Sequence, residues 1–150
     1  MNPISEEKEK IRQLFASQML AVLATDDGEF PYTSLVAFSC TEDLKCLLFV
    51  TDRFTRKYKN MEKNPHVSLL IDSRSNRPED FENAIAVTAV GRVAPVGEDE
   101  KEEMKKIFLS KHPRLKDFVN VSATVLMKVE TDFYYPVSRF QQVREISMKE

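Results

Sequence analysis

Glycine is nearly missing: three residues in 150, and tryptophan is absent altogether. So few glycines exclude the Gly-rich loops that hold nucleotide phosphates through bare backbone, so a phosphate here would have to be gripped by side chains and a helix start. Cysteine is scarce as well. Cys40 and Cys46 lie six residues apart around the turn TEDLK, and with no secretory leader in the polar opening MNPISEEKEKIRQ they read as free, buried thiols. The two histidines, His66 and His112, share no ligand spacing with them, which speaks against a metal site. No apolar run approaches the ~20 residues that span a bilayer. A net charge of −2 with both signs interspersed leaves no field to draw nucleic acid or an anionic membrane.

What is present is a composition with a proper core: 42% hydrophobic and 31% charged residues in a 17.3 kDa chain. These features describe one soluble, cytoplasmic domain over residues 1–150, with no nucleic-acid or membrane partner. Apolar periodicity predicts a helix over 5–17 with Ile11, Leu14 and Phe15 on its inner stripe. Strands are expected at 19–25, 31–39, 46–51, 66–72, 84–96 and 123–137, with RFQQVREIS as a short addition. Residues 73–83 read as an ordered loop, and 98–113 as a helix with Met104, Ile107 and Phe108 on one side, ended by Pro113. Gly91 inside a strand predicts a bulge or a close backbone approach. The pattern is mainly β with peripheral helices: a six-stranded antiparallel barrel. Apolar residues on both faces of 19–25, 46–51 and 84–90 imply cover on two sides, from the barrel interior and from helices or a second subunit.

The stretch Thr51 to Ile71, TDRFTRKYKNMEKNPHVSLLI, carries the chemistry. It reads as strand end, turn, short helix and strand, with Thr55 as N-cap and Phe54, Tyr58 and Met61 at i, i+4 and i+7 packing on the barrel. Arg56 and Lys57 fall in the first turn, where a helix already carries partial positive charge. Two cations there make sense in front of an anion, with the hydroxyls of Thr51 and Thr55 and free backbone N–H groups completing a phosphate grip. The same charges also suit a solvated helix whose lysines balance Glu62.

In LAVLATDDGEFPYTSLVAF (20–38), LLFVTDRFTRKYKNMEKNPHVSLLI (47–71) and AVTAVGRVAPV (86–96), the chain resembles the pyridoxamine-5′-phosphate-oxidase-like FMN-binding split barrels over roughly residues 11–145. The resemblance implies that the T-x-x-x-[ST]-R-K stretch holds the phosphate of FMN through Thr51, Thr55, Arg56 and Lys57, beside Val50. Ser34, Leu35, Val36 and Ala37 would line the isoalloxazine, largely through backbone groups. It also implies a homodimer with the cofactor at the subunit interface, completed by the loop 73–76, including Asn76, and by Arg139 with Phe140. A deazaflavin phosphate, adopted by cousins of this fold, would use the same grip.

The resemblance implies an oxidoreductase that passes reducing equivalents from a nicotinamide or similar donor to a small-molecule substrate. The authentic oxidases carry an Arg-x-His motif in a C-terminal segment, whereas the tail here is FQQVREISMKE, with no histidine after His112, which disfavours that reaction. The alternatives are a haem-utilisation protein on the same fold, to which FLSKHPRLKDFV (108–119) is similar, and a non-catalytic flavin-binding protein. His112 before Pro113 is equally an ordinary helix stop. Tyr32, Tyr58, Tyr134 and Tyr135 are candidates to stack on a flavin, or core and interface residues.

Overall fold

The computed structural model describes residues 3–138 and 142–149. In chain order come α1 (Pro3–Ser17), β1 (Leu20–Asp26), β2 (Pro31–Cys40), β3 (Cys46–Asp52), α2 (Arg56–Lys63), β4 (His66–Asp72), α3 (Asp80–Asn83), β5 (Ile85–Pro95), α4 (Lys101–Lys111), a 3-10 turn (Pro113–Leu115), α5 (Lys116–Val119), β6 (Thr124–Ser138), β7 (Gln142–Val143) and β8 (Ile146–Ser147). β1 pairs with β2 and β4, β2 with β3, β4 with β5, and β6 with both β5 and β3, all antiparallel. The six strands therefore close into a barrel with no free edge among them.

Alternation decides what fills the barrel. Ala21 and Leu23, Val67, Leu69 and Ile71, and Val87 and Ala89 point inward with Met127 and Val129, forming one cluster. Phe15 of α1 lies edge-on to Phe38 at 5.6 Å and to Tyr134 at 5.7 Å. The Tyr134 hydroxyl donates to the Leu44 carbonyl at 2.7 Å, so this buried phenol is satisfied. A second cluster sits outside the barrel, where Leu48, Val50 and Leu126 meet Phe108 of α4.

Two-sided cover is thus complete only for β3. The outward residues Leu20, Val22 and Ala24 of β1, and Ala86, Thr88 and Val90 of β5, stay exposed or half-buried, so the expected cover of those strands is not supplied by the helices of this chain. Further differences are local. Phe54 was expected beside Tyr58 and Met61, but it is 76% exposed while Met61 is buried and Tyr58 packs on the interior cluster. Helical spacing does not extend to Phe54, because the N-cap Thr55 is extended (φ −86, ψ 159) and the Phe54 N–H is tied back to Asp52 Oδ1 at 2.8 Å. The loop after β4 contains α3, which buries none of its residues. Pro113 stops α4 as expected, but the chain coils again through the 3-10 turn and α5. Cys40 and Cys46 are free thiols, and burial pushes the Cys40 thiol up to about 12.

β6 is one residue longer than β5 opposite the bulge: Val90 pairs with Phe133 and Gly91 with Thr131, leaving Asp132 unopposed. The freed backbone groups find other partners: Thr131 N–H donates to Lys45 O at 3.0 Å, and Met148 N–H to Asp132 O at 2.7 Å. A Cβ on Gly91 would sit 2.1 Å from the Glu130 carbonyl oxygen and 2.9 Å from its carbon, both backbone atoms that cannot rotate away. Gly91→Ala is therefore expected to cost about 3 kcal/mol in chemical denaturation; wild-type stability would show that the strands can separate here at no penalty.

Candidate functional site

α2 plugs one mouth of the barrel. Asn60 is buried and its Nδ2 donates to Thr25 Oγ1 at 3.0 Å, which ties the helix to β1 by a satisfied polar contact. At the other end of the helix, Thr55 Oγ1 accepts from the Tyr58 N–H at 3.4 Å and donates to the Asp52 carbonyl at 2.8 Å. The buried Thr51 hydroxyl lies 3.2 Å behind it. Thr51 and Thr55 therefore build and brace the cap, with Thr55 nearer the open side.

In front of that cap stand Arg56 and Lys57. Their N–H groups have no acceptor among the described residues, and the first turn holds no acid. Neither side chain joins an ion pair among the described residues. The Arg56 guanidinium instead lies 5.7 Å from the centre of the Tyr32 ring, a contact that leaves its hydrogen-bond donors available. The β1–β2 turn is close enough for charge to be felt: the N–H groups of Glu29 and Phe30 hold the Asp27 carboxyl below its usual range, with smaller help from Lys63 and Arg56.

Two residues along β2 from Tyr32 comes Ser34, whose hydroxyl oxygen is out of solvent without a partner among the described residues. Leu35 points outward and is 66% exposed, Val36 is buried inside, and Ala37 packs against the outer cluster with Val50. The fold thus brings Val50, Thr51, Thr55, Arg56 and Lys57 into one corner, with β2 running away from it. Asn76 lies elsewhere. With a left-handed φ of +62 it lines a cleft of about 650 Å³ beside Arg74, Arg77 and Phe81, and that cleft shares no lining residue with the α2 start. Its loop is held by Asp80, which accepts from the Ser75 and Asn76 N–H groups and lies 2.7 Å from the Ser75 hydroxyl. Arg139 and Phe140 lie outside the described residues.

His112 is spoken for. It is buried, its Nε2 sits 2.6 Å from the Phe38 carbonyl oxygen and donates to it, and its ring lies 4.9 Å from that of Phe108. Besides capping α4, it thus serves a structural role in the packing of that helix on β2. Among the described residues no cluster of His, Cys, Asp and Glu could hold a metal, and no helix is long and apolar enough to cross a membrane.

An unpaired cationic helix start suits a phosphorylated ligand. Comparison with known proteins agrees on the fold that builds it. The profile described as pyridoxamine 5′-phosphate oxidase matches residues 7–131. The chain belongs to that family. Its fold is shared with a haem-binding protein from Mycobacterium smegmatis, at TM-score 0.84 and 18% identity over 98% of this chain and 59% of that one. The General Stress Protein 26 from Bacillus anthracis superposes at TM-score 0.72 and 20% identity, covering 95% of this chain and 99% of that one. An FAD-binding protein from Mesorhizobium loti gives 0.69 and 13% identity over 86% of this chain and 90% of that one. The chain thus spans about three fifths of the Mycobacterium protein. No curated protein matches it.

Sequence reasoning did not single out Asn60, whose anchor on Thr25 depends on a contact 35 positions away. It grouped Tyr32 with three other tyrosines, since only the docking of α2 sets that ring under Arg56. The cap and the cations separate cleanly in their expected effects. Thr55→Ala should lower stability by about 1 kcal/mol through loss of the cap, whereas Arg56→Ala should change it by less than about 0.5 kcal/mol because the side chain is exposed. Equal losses in urea denaturation would mean that Arg56 is part of the scaffold.

Proposed function

We propose that the α2 start holds the phosphate of FMN and that β2 from Ser34 to Ala37 lies along its isoalloxazine. The observation that carries this reading is the pair of cations with unpartnered N–H groups at a braced helix cap. Arg56 would fork onto phosphate oxygens, Lys57 would add a point charge, and Thr55 would offer its hydroxyl at the rim of the cap. Thr51 would act from behind, by fixing Thr55. Ser34 is on the interior face of β2 opposite Leu23, so it would meet the ligand through its backbone groups.

The chain would work as a homodimer. Leu35, Val22, Leu70 and Thr88 sit side by side across β2, β1, β4 and β5 on the outer face, and a second copy would give this face its missing cover. The same partner would bring its Asn76 loop, and the segment around Arg139, toward the cofactor. When bound, the flavin supplies the hydride and electron chemistry, and the chain's own groups bind, orient and exclude water. The activity we propose is transfer of reducing equivalents from a nicotinamide or similar donor to a small acceptor in the cytoplasm. A haem-binding reading would need a ligand other than His112, whose Nε2 is held by Phe38.

Fluorescence titration with FMN tests the site. The wild-type protein should quench the flavin on binding, and an Arg56→Ala/Lys57→Ala variant should bind at least ~100-fold more weakly, as expected for losing two charge-assisted contacts. Wild-type affinity in that variant would overturn the assignment.

A further inference from the structure

We infer that a second cleft of this chain captures small anionic aldehydes through Lys111, whose side-chain amine condenses with the carbonyl carbon to an imine. The cleft, of about 620 Å³, lies between α1, the end of β2 and α4, and none of its lining residues belongs to the α2 start. Phe15, Leu44 and Ile107 give it apolar walls, and Arg12 and Lys106 bring positive charge to it. The inference does not depend on the flavin reading of α2.

Lys111 is half-buried in the last turn of α4. Its Nζ donates to the Phe15 carbonyl at 2.7 Å and lies 3.8 Å from the centre of the Phe38 ring. Among the described residues no carboxylate pairs with it. Burying an ammonium without a counter-ion favours the neutral amine, and this burial brings the Lys111 pKa down to about 8. The cleft does little to restore the charge. Arg12 of α1 and Lys106 of α4 are cations, and burial keeps the Cys40 thiol of β2 un-ionised. Glu42, in the turn after β2, makes no ion pair with Lys111 among the described residues. At about pH 7.5 an amine of this kind is neutral in roughly a quarter of molecules, against roughly 0.1% for an ordinary lysine.

The bond to Phe15 needs only one N–H, so the neutral amine keeps that anchor with its lone pair free. Attack of the lone pair on an aldehyde carbon forms the C–N bond. The carbonyl oxygen then leaves as water with the two amine protons, and C=N remains. No electrons are transferred, so no oxidant or reductant enters. An anionic group on the aldehyde would meet Lys106, which has no ion partner among the described residues, and the Arg12 N–H groups not spent on Glu9 and the Glu42 carbonyl. Apolar walls, cations and a neutral amine together select an apolar body that carries an anion and an aldehyde.

The experiment treats the full chain with 4-formylbenzoate and sodium cyanoborohydride, which fixes an imine as a stable secondary amine, and maps the adducts by peptide mass spectrometry. At about pH 7.5 Lys111 should be labelled about tenfold faster than any other lysine, at a rate that rises through pH 8. Benzaldehyde, which lacks the carboxylate, should show about threefold less of that preference, and Lys106→Ala should cost 4-formylbenzoate the same factor. Labelling spread evenly over the lysines would overturn the inference. Equal preference for Lys111 with both aldehydes would overturn the anionic ligand class. Lys111→Arg keeps a donor for Phe15 and should remove the fast-labelled site while holding the melting temperature; fast labelling that survives this substitution would place the reactive amine elsewhere and overturn the assignment.

Discussion

The fifteen residues of β6 hold the molecule together because they serve two sides of the barrel at once. From Thr124 to Glu130 the strand pairs with β3, and its whole length from Met127 to Ser138 pairs with β5. Beyond Glu130 the place of β3 is taken by β8 and β7, which pair with Phe133, Tyr134, Val137 and Ser138. The hand-over occurs at the bulge, where Gly91 lets the two backbones approach more closely than any side chain would permit. Closure, the displaced C-terminal strands and the orphan groups satisfied by Lys45 and Met148 all follow from that one crossing.

A closed barrel has two mouths, and filling one of them sets the stage for the site. α2 enters with Met61 and Asn60 buried, which determines where its other end must stand. The cap there is made from neutral groups. Thr51 and Thr55 share their hydroxyls with Asp52 and Tyr58, so the helix start is rigid without any acid to neutralise Arg56 and Lys57. Two cations against a helix dipole cost on the order of 1 kcal/mol of repulsion in sum. A sequence keeps such a local conflict where function needs it.

Much of this was legible in the residues themselves. The strand 66–72 is found at those limits, and the inner stripe of α1, the Thr55 cap and the Gly91 bulge are where periodicity and local chemistry place them. These are short-range signals. What escaped depends on which face meets what. Phe54 reads as the first member of a helical stripe until the turn before the cap rotates it into water. The outer faces of β1 and β5 look buried by composition, yet the helices of this chain complete such cover only for β3. α3 and α5, with four residues each, are too short to leave a period in the sequence. Asn60 and Thr25, like Arg56 and Tyr32, are joined by tertiary docking alone. The proposed roles of Asn76 and Arg139 depend on a second copy, and Asn76 in this chain stands apart from the α2 start.

The central claim is that a phosphate, rather than the flavin ring, is the handle by which this protein holds its ligand. Thermal melting in the presence of riboflavin and of FMN separates the two, because a ligand bound only by the folded state raises the melting temperature in proportion to its affinity. FMN should raise it by several degrees at a concentration where riboflavin, which lacks the phosphate, leaves it unchanged. An equal rise with both flavins would contradict the account.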